Sequence, residues 1–466
     1  MGKLKQFLII FAIGAVIWFI PVPAGLKPQA WQLFAIFVAT IIGIIMSPLP
    51  MGAMALIGIA VAVLTKTLTM AQGLSAFANG TIWLIVCAFL FARSFIKTGL
   101  GARIAYMLMR AIGDKTLKLG YVMAISDLIL SPATPSNTAR GGGVLFPIVR
   151  SLCTAFQSEP GTSARRVGAY LMQTQYHANI ITSAMFMTAM AANPLAAELA
   201  KKAANVDINW GLWALAGAVP GIISLLVIPY LLYVIFPPEL KDTPQAKEMA
   251  REELEKRGGM SRNEWIVLGV FISALLLWST SSITKIDATL VAILGVCVML
   301  ITEVLTWNDV LEDKGPWDTL MWMGGLVCLA DFLNKLGFIP WFAKTVSASL
   351  VGIPWVATLA VLLIVYVYAH YGFASLTAHV TAMYPAFLAV AVTAGAPPLL
   401  AALGMAYMSN ICASITHYGT GTAPIFFGAG FVSQGDWWKY GFIVSVVNMI
   451  IWIIGGGLWW KALGLW

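Results

Sequence analysis

Charge is scarce in this sequence. Only 10% of its 466 residues are Asp, Glu, Lys or Arg, against about 25% in an ordinary soluble domain. Cysteine is sparse as well. Cys87, Cys153, Cys297, Cys328 and Cys412 stand apart with no CxxC pair, mostly in apolar runs, so neither a disulfide framework nor a metal site is expected. The four histidines make no HxxH, HxxxH or HExxH pair and lack acidic partners, so no metal and no other cofactor is expected. Ser136 has no His or Asp at a recognisable triad spacing, which argues against an enzyme. Nucleic acid is not an expected partner either, because the net charge of +8 is spread over loops rather than gathered on one face.

What is present is apolar: 60% of the chain is hydrophobic, with a mean hydropathy of +0.85. Runs at roughly 6–20, 30–46, 51–65, 79–96, 168–198, 210–236, 264–280, 287–304, 317–334, 398–428 and 438–462 predict about eleven spans of roughly 20 residues each. Lys3 and Lys5 before the first run give it the look of a signal peptide, which we read as a retained first helix. Two further apolar stretches, about 119–150 and 355–394, are interrupted near their middle by Pro, Ser, Thr, Asn, Gly or His. Irregular backbone at membrane depth survives only inside protein or beside a water-filled cavity, so both read as re-entrant hairpins.

Lys and Arg orient the chain. With the N-terminus in the cytoplasm, about 18 basic residues lie inside and about 8 outside, as the positive-inside rule requires. The most charged segment, 237–263, then falls inside as a linker. It separates a first half, 1–236, holding an inner hairpin at 119–150, from a second, 264–466, holding an outer hairpin at about 370–394. The halves resemble each other. Residues 81–100 match 319–338 without gaps, pairing Thr81 with Thr319, Ala92 with Ala330, Lys97 with Lys335 and Gly99 with Gly337. Ser136-Asn137-Thr138-Ala139 then aligns with Ser375-Leu376-Thr377-Ala378, and Ala192-Asn193-Pro194 with Thr422-Ala423-Pro424. About five spans separate the repeat starts, so the halves are expected to be inverted. The expected fold is an all-α polytopic membrane protein in which two hairpins and two broken helices meet near the midplane, the pattern of secondary transporters.

Candidate site residues follow from the breaks. In the first hairpin Ser136, Asn137 and Thr138 offer hydroxyls, an amide and helix-end N–H groups to an anion; simple capping is the competing reading. Arg140, two residues on, is the expected fixed cation, unless it pairs with Asp127 or Asp331. Arg93 is expected to snorkel to the inner interface. Ser375, Thr377 and His379 belong to the second hairpin. The broken helices add His177, Asn179 and Thr182 from the first half, and Thr416, His417, Thr420 and Thr422 from the second.

These segments, SNTARGGG, HYGFASLTAH and THYGTGTAPIFFG, resemble the divalent anion/sodium symporter family, in particular its branch of bacterial citrate, tartrate and succinate exchangers and plastid 2-oxoglutarate/malate translocators. The resemblance covers nearly the whole chain, and the HYGTG run is its most specific part. It implies a homodimer, separate scaffold and transport domains, an elevator movement, and di- or tricarboxylate substrates carried across the bilayer of a bacterial cell membrane. Sodium-coupled relatives carry Ser-Asn-Thr in both hairpins, whereas here the second reads Ser375-Leu376-Thr377. Leu376 has no oxygen for sodium. Together with the charge of Arg140, helped by His379 or His417, this leads to an expectation of sodium-independent exchange. Sodium- or proton-coupled symport is the alternative.

Overall fold

The computed structural model describes residues 2–348 and 352–466. Among these every regular element is helical, and the β pairing is one isolated bridge, Lys115–Asp242. Eight helices have the length and hydropathy to cross a membrane: Pro28–Met46, Gly80–Thr98, Trp210–Ile235, Arg262–Ser279, Trp355–Gly372, Leu376–Thr393, Pro398–Ile415 and Gln434–Ala462. Lys314–Lys335 and Phe338–Val346 make a ninth if the pair, bent by 65°, counts as one span.

Eight or nine candidate spans among the described residues stand against the expected eleven, and the difference has physical reasons, starting with Lys3–Phe19 at 17 residues. Met51–Leu64 and Ala288–Ile301 are apolar but 14 residues long. At 1.5 Å per residue that is about 21 Å, short of a hydrocarbon core of about 30 Å. Gly168–Met185 is long enough, yet it carries Gln173, Gln175, His177, Asn179, Thr182 and Ser183, and all its residues are buried. It is a core helix rather than a lipid-facing one. Conversely, both arms of the expected second hairpin, Trp355–Gly372 and Leu376–Thr393, pass the length test individually.

The same order of elements occurs in both halves. Gly80–Thr98 is followed by the amphipathic Leu100–Ile112, and Lys314–Lys335 by Phe338–Ala348. The matched glycines explain the turn: Gly99 and Gly337 are both left-handed, at φ +75° and +97°, the conformation that ends a helix and that glycine adopts without strain. Next come two helices joined by a break, Thr116–Leu130 with 137–155, and Trp355–Ala369 with Leu376–Thr393. Each break begins with a 3-10 turn (Ser131–Ala133, His370–Gly372) and ends on the aligned serine, Ser136 or Ser375. A broken helix follows in each half: Gly168–Met185 with Ala192–Ala204, then Pro398–Ile411 with Ala423–Gly428. A long helix closes each set.

The halves interlock through donors that would otherwise be buried without partners. Tyr176 Oη donates to the Ala413 carbonyl at 2.6 Å and Tyr407 Oη to that of Trp213 at 2.7 Å. Trp452 Nε1 donates to Ser224 Oγ, and Trp460 Nε1 to the Ala216 carbonyl. The linker contains the polar helix Gln245–Arg257, fixed by one buried ion pair. Arg103 Nε lies 2.6 Å from Glu264 Oε1 and its Nη1 donates to the Gly258 carbonyl at 2.8 Å, while Glu264 also closes the capping box with Ser261 that starts Arg262–Ser279.

Removing one member of such a pair strands the other. Arg103→Ala should destabilise the protein by about 3–5 kcal/mol and lower the melting temperature in detergent. An unchanged melting temperature would show that the linker is held by other contacts.

Candidate functional site

The first hairpin is organised around a buried charge pair. Thr116–Leu130 brings Asp127 to within one turn of its end, and the returning arm carries Arg140 in a widened π-type turn, Ala139–Leu145. Pro132 and Pro135 lie in the segment between them, where they oppose helix continuation. Arg140 Nε meets Asp127 Oδ1 at 2.6 Å, and neither side chain is exposed. The other guanidinium N–H groups go to the carbonyls of Thr134 and Ala189 and the hydroxyls of Ser183 and Thr182. Asp127 is equally saturated. Thr182 Oγ1 donates to Oδ1, and Gln175 Nε2 and Asn179 Nδ2 donate to Oδ2 at 2.7 and 2.9 Å. A buried pair survives only when its remaining hydrogen-bonding capacity is met in this way.

Every guanidinium donor of Arg140 is therefore engaged within the protein, which speaks for the ion pair with Asp127 over the expected role as an anion ligand. Arg140 pins the two hairpin arms to each other and, through Ser183 and Ala189, to the break of the first broken helix. Asp331, the other candidate partner, instead faces Lys335 at 2.8 Å and Lys202 at 3.8 Å. Arg93 lies 3.8 Å from Asp309, beside Lys97 at 2.6 Å, so it pairs at the helix end rather than only snorkelling. The Lys97 ammonium, with the Thr306 backbone and hydroxyl, holds the Asp309 carboxyl well below the usual range.

In front of this pair lies a cavity of about 330 Å³. All four breaks reach it: Pro135–Asn137, Met190–Ala192, Ala374–Thr377 and Thr420–Gly421. Phe89, Thr319 and Trp322 form the remaining wall. Ser136 Oγ accepts from the Ala139 N–H at 3.1 Å and Ser375 Oγ from the Ala378 N–H at 3.3 Å. Both serines thus cap helices, but each keeps its own O–H as a donor. Asn137 Nδ2 donates to Thr420 Oγ1 at 2.8 Å, joining the first hairpin to the second broken helix. Close approach there needs Gly421, where a Cβ would stand 2.5 Å from Thr138 Oγ1.

Among the described residues no charged side chain lines the cavity. The backbone can supply positive character there, because three helices begin at it: 137–155, Ala192–Ala204 and Leu376–Thr393. The first N–H groups of a helix lack intrahelical partners and carry a partial positive charge. Neutral hydroxyls, an amide and helix N-termini form a set of donors suited to a small anion.

Of the expected site residues, Ser136, Asn137, Ser375, Thr377 and Thr420 line this cavity, and Thr138 sits directly behind it against Gly421. Asn179, Thr182 and Arg140 form the Asp127 network, and Thr422 reaches Asn179 at 3.4 Å. Thr416 is buried away from the lining. The histidines are likewise outside it. His177 Nε2 bonds Gln173 Oε1, His379 stacks on Tyr366, and His417 Nδ1 accepts from Trp438 Nε1 at 2.9 Å. Phe89, Thr319 and Trp322 were not anticipated; the Thr81–Thr319 match was the one sequence signal near them.

The family described as "Sodium:sulfate symporter transmembrane region" matches residues 2–466. The chain belongs to this family. It is accordingly an integral membrane transporter and not an enzyme. Among curated relatives of this sodium:sulfate symporter family member, the putative malate transporter YflS of Bacillus subtilis is 54% identical, covering 100% of this chain and 97% of that protein. The chloroplastic dicarboxylate transporter 1 of Spinacia oleracea is 48% identical over 100% of this chain and 82% of its own. The inner membrane protein YbhI of Escherichia coli is 40% identical, over 100% and 98%. Among solved structures, the YdaH transporter of Alcanivorax borkumensis superposes with a TM-score of 0.56 at 13% identity, covering 99% of this chain and 98% of that one. At that identity the likeness concerns the fold alone.

If Arg140 is structural, its loss should be felt in folding. Arg140→Gln should lower the thermal stability of the purified protein by about 3–5 kcal/mol, and adding Asp127→Asn should recover part of that loss. A single variant that keeps wild-type stability but loses transport would return Arg140 to the substrate.

Proposed function

We propose that this chain is a secondary transporter of small dicarboxylates of the malate and succinate class, exchanging one dianion for another without sodium. The observation that carries the reading is the cavity lined by hydroxyls, an amide and three helix N-termini, with no charged side chain. Each N-terminus is equivalent to about +0.5 charge, so three supply about +1.5, close to the need of a dianion. The printed names of the relatives, a malate transporter and dicarboxylate transporters, support the same substrate class. The cavity lies near the lower end of the usual ligand range of about 300–1,000 Å³, which favours a four- or five-carbon dicarboxylate over citrate.

The case for exchange now rests on the helix ends rather than on Arg140. The half-buried lining donors Ser136, Ser375 and Thr377 would lose water with nothing to replace it if the site crossed empty, at about 1–3 kcal/mol each, and a bound dianion satisfies them. The loaded site is then the cheaper one to carry across. Further parts of this proposal are that residues 1–236 and 264–466 are inverted repeats joined by 237–263, and that the two hairpins are re-entrant from opposite sides. The breaks would move as one body past Gly80–Thr98 and Lys314–Lys335 in an elevator motion, within a homodimer in the cell membrane, with the N-terminus in the cytoplasm. The alternative, sodium-coupled symport, is favoured by the intact Ser136-Asn137-Thr138 motif and by the word sodium in the family's description.

Two measurements test the reading. Thr377→Val removes one cavity hydroxyl at nearly constant volume, and should weaken dicarboxylate affinity about ten- to a hundredfold, the worth of a hydrogen bond to a charged group at about 1.5–3 kcal/mol. Unchanged affinity would place the substrate elsewhere. Separately, liposomes preloaded with malate should take up labelled malate in sodium-free potassium buffer, while empty liposomes take up little. Uptake that requires external sodium would select the symport reading.

A further inference from the structure

Outside the cavity lining, two imidazoles and a thiol are packed together. His370 opens the break after Trp355–Ala369, His379 sits in the first turn of Leu376–Thr393, and Cys412 follows Pro398–Ile411. All three are fully buried. One ligand atom from each lies within 4.8 Å of the other two. His379 Nδ1 and Cys412 Sγ are 3.6 Å apart, a spacing that serves a thiol hydrogen bond and equally two ligands of one ion. Three-coordinate bonds of about 2.3 Å to sulfur and about 2.0–2.1 Å to nitrogen, opened to about 120°, separate S and N by about 3.8 Å, close to the observed spacing.

Two further features point to a ligand. His370 Nδ1 has no hydrogen-bond partner among the described residues although its ring is buried, and an unpaired buried polar atom costs about 1–3 kcal/mol. His370 Nε2 lies 2.8 Å from the Gly419 carbonyl. As an N–H donor there, it leaves the Nδ1 lone pair free. A histidine that binds a metal through one nitrogen commonly donates its other N–H to a backbone carbonyl in this way. Tyr366 and Phe373 cover the cluster, with ring centroids 4.3 and 4.9 Å from that of His379.

We propose that His370, His379 and Cys412 form a binding site for a soft monovalent cation, Cu⁺. Thiolate and imidazole are soft and borderline ligands that select Cu⁺ or Zn²⁺ over hard cations. Charge and ligand number then separate the two. Binding forms a Cu–S bond and breaks the S–H bond of Cys412, releasing that proton to solvent. Two neutral imidazoles and one thiolate therefore leave Cu⁺ with no net charge in a site without water access, whereas Zn²⁺ would keep an uncompensated +1 that is costly to bury. Structural zinc also takes four ligands, and three soft ones are present. The ion would tie the start of the hairpin break, its second arm and the second broken helix into one unit, a few residues from Ser375 and Thr377. The site does not depend on which anion is carried.

The test uses the full-length protein, stripped of metal and titrated anaerobically with Cu⁺ supplied from a chromophoric chelator. One Cu⁺ per chain is expected, with a higher melting temperature because the ion binds only the folded state. Cys412→Ser and His370→Gln should each lower the affinity at least tenfold, while Cys153→Ser, a cysteine outside the cluster, should not. X-ray absorption on the wild-type protein should report one sulfur and two nitrogen neighbours, a readout independent of how the variants fold. Stoichiometry unaffected by Cys412→Ser, or a copper neighbour shell without sulfur, would overturn the site. Tighter binding of Zn²⁺ than of Cu⁺ would overturn the choice of ion.

Discussion

The ion pair between Asp127 and Arg140 sets the geometry on which the rest of the first half depends. A buried charge without partners is costly, and here the pair stands because every donor and acceptor in it is used. Asp127 accepts from Arg140, Thr182, Gln175 and Asn179. Arg140 reaches in turn to Ser183 and to the Ala189 carbonyl at the helix break. The hairpin tip therefore cannot slide relative to the broken helix without stranding a buried charge. That rigidity presents Ser136 and Asn137 to the cavity at one fixed position, and Asn137 passes the constraint to the second half through Thr420.

Because the charges neutralise each other behind the site, the site itself is built from neutral groups. The lining serines cap the helices whose N-termini face the cavity, so the same hydroxyls shape the backbone and remain available as donors. A potential made of backbone dipoles is fixed by the fold and cannot be screened by a mobile side chain. This is a different electrostatic design from one with an arginine among the ligands, and it matches a carrier whose substrate must be released as readily as it is bound.

Much of this was legible in the sequence because breaks at membrane depth demand particular residues. Proline, glycine and short hydroxyl side chains mark them, and the paired serines at 136 and 375 fall at the ends of two helix breaks. The left-handed Gly99 and Gly337 explain why the internal repeat was visible at those positions. Other features were not legible. The side of the return arm to which Arg140 turns depends on where Asp127 sits on a neighbouring helix, and the sequence left Asp127 and Asp331 equally open. Phe89 and Trp322 lie in apolar runs where a lipid-facing and a cavity-facing ring look alike. The histidines misled because a polar side chain in an irregular segment was read as facing the cavity, whereas the three buried ones pack against aromatic, amide or thiol partners behind it.

The central claim is that a dicarboxylate is held by the two hairpin tips and the helix ends, and not by Arg140. It is tested most directly by an experimental structure of the protein in lipid with malate or succinate bound. The account predicts ligand density between Ser136–Asn137 and Ser375–Thr377, its carboxylates within hydrogen-bonding distance of those side chains and of helix N–H groups, with the Arg140–Asp127 pair intact behind it. Density in contact with the Arg140 guanidinium, with Asp127 released from it, would contradict the account.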